Sequence, residues 1–253
     1  MKTIIAVGGG IKETTHYSVA AGSIDNEIVR LSGKINPKLL FIPTASSDSP
    51  GYISDVKNHF GKKFGCNVDV LCLVQKKPSK KEIEEKILNS DIIYVGGGNT
   101  LKMMRIWRGL GVDKILKRAY ERGIVLAGVS AGAICWFDSG HSNSLFYYNQ
   151  KNWKYINVKG MGLVKGIFCP HYDGAVGAAK RSEHFSQMIK KTGGMGLAVD
   201  NLCAIEVIDD KYKVLSSAPE ASAYRVYKKR GRVVSEKIKV TDGMLPISEL
   251  YRR

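Results

Sequence analysis

Ile124-Val125-Leu126-Ala127-Gly128-Val129-Ser130-Ala131-Gly132-Ala133-Ile134-Cys135-Trp136-Phe137 carries no charged side chain. An apolar run leads into Gly128-x-Ser130-x-Gly132, and the residues after it are compatible with a helix. A strand, a sharp turn and a helix form the setting in which a Gly-x-Ser-x-Gly serine projects its hydroxyl above a sheet edge. The turn is strained, so its neighbours must be small, and Gly128 and Gly132 leave that room. Ser130 is therefore the candidate nucleophile. The N–H of Ala131, at the helix start, is a candidate oxyanion donor.

Similar units lie on both sides. Thr3–Val7, Lys38–Ile42, Val68–Leu73, Asp91–Val95, Ile124–Ala127 and Gly166–Cys169 are short, nearly continuous apolar runs, as expected of buried parallel strands. Amphipathic stretches near Ile24–Leu31, Ile53–Phe64, Lys80–Leu88, Leu101–Trp107, Val112–Arg122 and Ala175–Lys190 read as the helices between them. Ser79-x-x-Glu82 is a capping box, and Asn99 is a natural N-cap. After Gly196 the pattern changes to short strands, Leu197–Val199, Ala204–Ile208, Tyr212–Leu215, Ala223–Tyr227 and Val233–Ile238, which read as hairpins. The expected fold is a three-layer, doubly wound α/β sandwich on a mostly parallel sheet with C-terminal antiparallel hairpins. No linker or repeat divides the chain, so residues 1–253 are read as a single catalytic domain.

In such a sheet ligands bind beyond the carboxyl ends of the strands, which directs attention to the loops there. Gly8-Gly9-Gly10 follows the first strand, but Glu13 stands where a dinucleotide fingerprint starting at Gly8 needs glycine, so a nicotinamide or flavin site is disfavoured. Gly96-Gly97-Gly98-Asn99-Thr100 can turn backbone N–H groups toward an oxyanion at a helix N-terminus, and Gly97 or Gly98 is a candidate second donor. Of five histidines, His171 follows the Gly166–Cys169 run and is the expected base. His16 sits in the loop after Gly10, where it could line the cleft; His59 and His184 fall in amphipathic helices, and His141 has no assigned role.

Composition bounds the rest. The 253 residues include 39 Lys and Arg against 23 Asp and Glu, a formal charge of +16. That charge is compatible with a solvated surface, acidic substrates or nucleic acid. Its densest runs, Lys76–Lys81 and Lys228–Arg232, lack the interleaved aromatics of a single-strand stacking platform, so nucleic acid is disfavoured as a partner. Five scattered cysteines without Cys-x-x-Cys spacing argue against disulfides and a zinc site, and no metal or organic cofactor is expected. The N-terminal sequence lacks a signal peptide and no stretch nears the ~20 apolar residues of a membrane span, so no membrane partner and a cytoplasmic location are expected.

Gly96–Thr100, Gly128–Ala133 and Pro170-His171-Tyr172, in this order and at these intervals, resemble the peptidase E (dipeptidase E) and cyanophycinase family of serine peptidases. The resemblance runs over nearly the whole chain. It implies a fold like that of class I glutamine amidotransferases, with serine where those enzymes have cysteine. It also implies Ser130 as nucleophile, His171 as base, Gly98 and Ala131 as oxyanion donors, and a small peptide as substrate. The family carries an Asp or Glu somewhat more than a dozen residues after the serine, whereas Leu145–Tyr148 here holds no acid and Asn143 stands in the segment Gly140–Ser144. Asp138, the nearest carboxylate, is expected to pair with His171 if its loop folds back. Asn143 is the alternative, orienting the imidazole by its side-chain carbonyl as in Cys-His-Asn enzymes; Asp173 is the next carboxylate. The aspartyl-specific branch favours peptides with N-terminal aspartate, for which Arg181 is the candidate cation; Tyr172, Tyr147 and Trp153 could instead shape an apolar pocket. The rival readings are an esterase-type serine hydrolase and a noncatalytic, basic nucleic-acid-binding pseudoenzyme. The sequence leaves room for a homodimer.

Overall fold

A computed structural model describes residues 1–10, 22–176 and 179–253. In chain order the elements are β1 (Thr3–Val7), α1 (Gly22–Arg30), β2 (Lys38–Ile42), α2 (Pro50–Val56) running into a π-helical stretch Lys57–Lys63, β3 (Asn67–Val70), α3 (Lys80–Leu88), β4 (Ile92–Val95), α4 (Thr100–Leu110) and α5 (Val112–Glu121). Then come β5 (Val125–Val129), α6 (Ala131–Ile134), β6 (Phe137–Ser142), β7 (Ile156–Lys159), β8 (Val164–Cys169), β9 (Ala175–Val176), β10 (Ala179–Lys180) and α7 (Arg181–Thr192). The chain closes with β11 (Gly196–Val199), β12 (Cys203–Ile208), β13 (Lys211–Ser216), β14 (Ala223–Lys229), β15 (Arg232–Ile238) and β16 (Leu245–Pro246).

These strands build two principal sheets. The first has the order β16-β13-β12-β1-β5-β4-β2-β3, and the second β15-β14-β11-β8-β6-β7. From β1 through β3 the first sheet is parallel, while β12 and β13 extend it antiparallel. Period-two geometry sends successive side chains of a strand to opposite faces. Ile5 and Val7 of β1 accordingly pack with Ile24 and Ile28 of α1 and Phe60, whereas Ile4 and Ala6 join the larger core that includes Trp107 of α4, Leu116 of α5, Trp136 and Phe168. This larger core joins the two sheets, and α7 covers the far side of the second through Phe185 and Ile189. Trp107, Trp136, Phe41 and Phe168 are fully buried, and truncating side chains of this kind to alanine costs about 3–5 kcal/mol each.

Local chemistry sets the helix ends. Ser79 Oγ accepts from the Glu82 N–H at 3.1 Å, as the capping box predicts, and Asn99 Oδ1 accepts from the Lys102 N–H at 3.0 Å. Gly111, with φ 74°, ends α4 in the left-handed conformation and opens α5.

The fold class agrees with the sequence reading, but three local assignments differ. The helix after Ser130 ends at Ile134, because the Trp136 carbonyl is taken by the Leu163 N–H at 2.8 Å and the chain turns into β6. The stretch Ala175–Lys190 opens with the short β9–β10 pair and becomes helical only at Arg181. Finally, Leu197–Val199 is more than a hairpin arm: β11 lies parallel to β8 across the α7 crossover and antiparallel only to β14. Among the described residues, no helix is long and apolar enough to cross a membrane.

Candidate active site

Ser130 occupies the turn between β5 and α6 with φ 55° and ψ −111°, a conformation that costs an L-residue on the order of 1–3 kcal/mol. Its N–H bonds the Val7 carbonyl at 3.1 Å, which pins the turn to the end of β1. The glycines beside it are required by contact. A Cβ added at Gly128 would strike the Gly132 backbone, and one added at Gly132 would strike the Val95 carbonyl.

His171 reaches this turn from the other sheet. It follows β8, has φ 49°, and its N–H bonds the Gly8 carbonyl at 3.2 Å. The end of β1 therefore holds both halves of the site. His171 Nε2 lies 2.9 Å from Ser130 Oγ, and His171 Nδ1 lies 2.7 Å from Asn201 Oδ1. Asn201 stands in the turn after β11, where its backbone N–H donates to Asp173 at 2.9 Å and its amide nitrogen lies 2.9 and 3.1 Å from the two Asp173 oxygens. Gly9 is buried beneath this pair, and a Cβ there would overlap both His171 Nδ1 and Asn201 Oδ1. The first glycine turn thus gives the imidazole and the amide the space to meet. Asp200, next to Asn201, accepts from the Ser222 N–H at 3.0 Å and the Tyr224 hydroxyl at 3.2 Å; burial and then the neighbouring Asp173 push its carboxyl up to about 6.

On the oxyanion side, a Cβ built at Gly97 would lie 3.5 Å from Ser130 Cβ, so the second glycine turn flanks the serine. The Gly97 N–H already faces the Tyr52 hydroxyl at 3.3 Å. Gly98 has φ 135°, and a Cβ there would strike the Ala45 carbonyl. Ala131 begins α6 directly after the serine.

Neither predicted orienter meets His171. Asp138 sits near the start of β6, and its carboxylate accepts from the Gly166 N–H at 2.8 Å. Because β6 and β8 are parallel, that is the opposite end of β8 from His171, five residues or about 16 Å along the strand. Asn143 precedes the 3-10 turn Ser144–Tyr147, with its carbonyl accepting from the Phe146 N–H at 2.9 Å. That segment braces the start of α4 instead: Ser144 Oγ accepts from the Leu101 N–H at 3.0 Å, and Ser142 Oγ bonds Thr100 Oγ1 at 3.0 Å.

Arg181 is only 7% exposed. Its guanidinium donates to the His141 carbonyl at 2.8 Å and lies 4.9 Å from the centre of the Tyr155 ring. His141 is fully buried and stacked on Tyr155, and burial, with Arg181 adding to it, pulls its imidazole down to about 2, so it stays neutral and is no rival base. Trp153 packs against Tyr155, Tyr147 against Phe146, and Tyr172 against Phe185 and Tyr224. His184 also meets Tyr155, and His59 pairs with Asp25 in the core at 2.7 Å. His16 lies outside the described residues. Arg181→Met is expected to lower stability by about 1–3 kcal/mol, measured by urea unfolding, because it leaves the buried His141 carbonyl unpaired.

A model of peptidase family S51 matches residues 4–215. The chain belongs to peptidase family S51. It is 36% identical over 227 residues to an uncharacterized peptidase, YgaJ, of Bacillus subtilis, covering 89% of this chain and 92% of the relative. Its fold is shared with a crystal structure of a peptidase from an acI-B1 Actinobacterium, at a TM-score of 0.70 and 17% identity over 97% of both chains. It is also shared with a putative peptidase E protein of Listeria monocytogenes, at a TM-score of 0.63 and 21% identity over 85% of this chain and 98% of that one. This S51 chain is thus a serine-type peptidase, which removes the esterase and the noncatalytic nucleic-acid-binding protein as readings of the whole.

Two parts of the arrangement escape a reading of the sequence. Leu197–Val199 reads as a hairpin arm, which draws no attention to Asn201 just beyond it. A parallel reading of that run would have directed attention to the loop just beyond it, which is Asp200-Asn201. Gly9 carries no signal beyond belonging to a glycine turn.

Proposed function

We propose that this S51 peptidase hydrolyses small peptides, dipeptides among them, through an acyl-enzyme on Ser130. The observation that carries the reading is the continuous chain of contacts from Ser130 Oγ to His171 Nε2 at 2.9 Å and from His171 Nδ1 to Asn201 Oδ1 at 2.7 Å. His171 takes the hydroxyl proton as Ser130 attacks the scissile carbonyl carbon. The carbonyl π electrons move onto oxygen, and the N–H groups of Gly98 and Ala131 stabilise that oxyanion. Collapse of the tetrahedral intermediate breaks the C–N bond, with His171 protonating the leaving amine. Water, deprotonated by His171, then attacks the acyl-enzyme, and the second collapse returns the proton to Ser130 Oγ.

Asn201 Oδ1 accepts a hydrogen bond from Nδ1–H and so orients the ring, but it brings no negative charge of its own to the imidazolium. Turnover is therefore slower than in an enzyme with a carboxylate at this place. A preference for N-terminal aspartate would rest on Arg181, whose guanidinium is buried and already bound, so we assign the site to small peptides without an aspartate requirement. The test is a dipeptide library screened against wild type, His171→Gln and Asp138→Asn. His171→Gln is expected to lose at least ~10³-fold in kcat/KM, while Asp138→Asn stays within about threefold, since its carboxylate bonds only the far end of β8. Equal losses in the two variants, or cleavage confined to Asp-X dipeptides, would contradict the proposal.

A further inference from the structure

We infer that Asp173 is a positioning residue that enables an asparagine to orient the catalytic histidine. The inference rests on the serine-peptidase reading of Ser130 and His171. The two ends of an asparagine amide have nearly the same shape, and either could face an imidazole nitrogen. An ionised carboxylate only accepts hydrogen bonds. Asp173 presents one oxygen at 2.9 Å and the other at 3.1 Å to the side-chain nitrogen of Asn201, so the NH₂ end of the amide must face Asp173. The carbonyl end then faces His171 Nδ1 at 2.7 Å, and because that oxygen can only accept, Nδ1 must carry the proton. Nε2 is left unprotonated and can accept from the Ser130 hydroxyl 2.9 Å away. One carboxylate therefore sets the histidine tautomer from two hydrogen bonds away. With the amide reversed, the NH₂ group would meet Nδ1, the ring proton would move to Nε2, and the base would be lost.

Asp173 also ties down the loop that carries the amide. The Asn201 backbone N–H donates to the same carboxylate at 2.9 Å, which joins the turn after β11 to the loop after β8. Asp200 is engaged elsewhere, its Oδ2 accepting from the Ser222 N–H and the Tyr224 hydroxyl. A negative charge on the amide N–H side also polarises the amide toward its oxygen. Part of the charge that a triad aspartate would supply thus reaches the imidazolium. Asp173 is exposed, so water and salt screen that share. The effect is accordingly smaller than the ~10⁴-fold loss when a triad carboxylate becomes an amide.

The experiment measures phosphonylation of Ser130 by a fluorophosphonate probe over a range of probe concentrations, together with nitrogen-15 NMR of the His171 ring and thermal unfolding. Asp173→Ala is expected to slow labelling at saturating probe by roughly 10–100-fold, to leave half-saturation unchanged, and to turn the single Nδ1–H form of His171 into a mixture of tautomers. Asp173→Asn is nearly isosteric and retains an oxygen that can accept from Asn201, so it should keep the fold and the tautomer and slow labelling about tenfold through loss of charge. The swap Asp173→Asn with Asn201→Asp puts the carboxylate directly on His171, with an amide NH₂ behind it. It should label at least as fast as wild type, a recovery that a merely structural role for Asp173 would not produce. The inference is overturned if Asp173→Ala keeps both the wild-type rate and the single tautomer, or if the swap labels no faster than Asp173→Asn. If wild type labels no better than Ser130→Ala, the catalytic reading fails, and the His171 tautomer in Asp173→Ala still decides the role of Asp173.

Discussion

Ser130→Ala is expected to abolish both turnover and fluorophosphonate labelling, with kcat falling by ~10⁴-fold or more and the fold intact. The size follows from how triad residues act: removing the nucleophile leaves only what substrate binding and the oxyanion hole contribute. The fold survives because alanine keeps the Cβ. Backbone strain at φ 55° is the same for both residues, and Gly128 and Gly132 still accommodate the turn. The hydroxyl is the only group lost, and with it the contact to His171 Nε2. A melting temperature within a few degrees of wild type, alongside no detectable product from a dipeptide library, is the expected pair of results. Dipeptide cleavage at the wild-type rate in this variant would exclude Ser130 as the nucleophile.

Gly9→Ala is expected to separate catalysis from folding. Gly9 is absent from the residues with positive φ, so alanine meets no backbone penalty there. Its methyl group would instead overlap His171 Nδ1 and Asn201 Oδ1. Both are side-chain atoms, so the imidazole and amide can part to admit it, and the chain still folds. Parting them removes the contact that orients His171, and a base misplaced by even an ångström loses on the order of 10²-fold in rate. We expect kcat/KM for dipeptides to fall by roughly 10²–10³-fold, with the melting temperature lowered by only a few degrees. Gly132→Ala is the control: its methyl group strikes the Val95 carbonyl, a backbone atom that cannot rotate away, so this variant loses stability first. Near-normal activity in Gly9→Ala would mean that the His171–Asn201 contact does not matter to turnover.

How much of this could be read beforehand depended on whether the determining interactions were local. β1, β2 and α3 have the bounds that their apolar runs and capping box indicate, because strand burial and helix caps are written within a few residues. The elbow was legible for the same reason, since Gly128, Ser130 and Gly132 are consecutive parts of one turn. The orienter was not. Asp138 and Asn143 are near Ser130 in sequence, but β6 points Asp138 toward the wrong end of β8, and Ser144, beside Asn143, accepts from the Leu101 N–H of α4. Asn201 is 30 residues from His171 and meets it only because β11 lies parallel to β8. Arg181, the expected cation by its charge and its place after His171, turns inward to a carbonyl of β6.

The amino-acid sequence by itself determined the fold class, the strained serine turn and the presence of a histidine past a buried strand, because each depends on residues adjacent in the chain. Only the tertiary structure decided which groups meet that histidine. Ser130 comes from one sheet and His171 and Asn201 from the other, and they converge where the carbonyls of Val7 and Gly8 accept the N–H groups of Ser130 and His171. Such a meeting depends on strand order and on which strands lie side by side, which no local run of residues encodes.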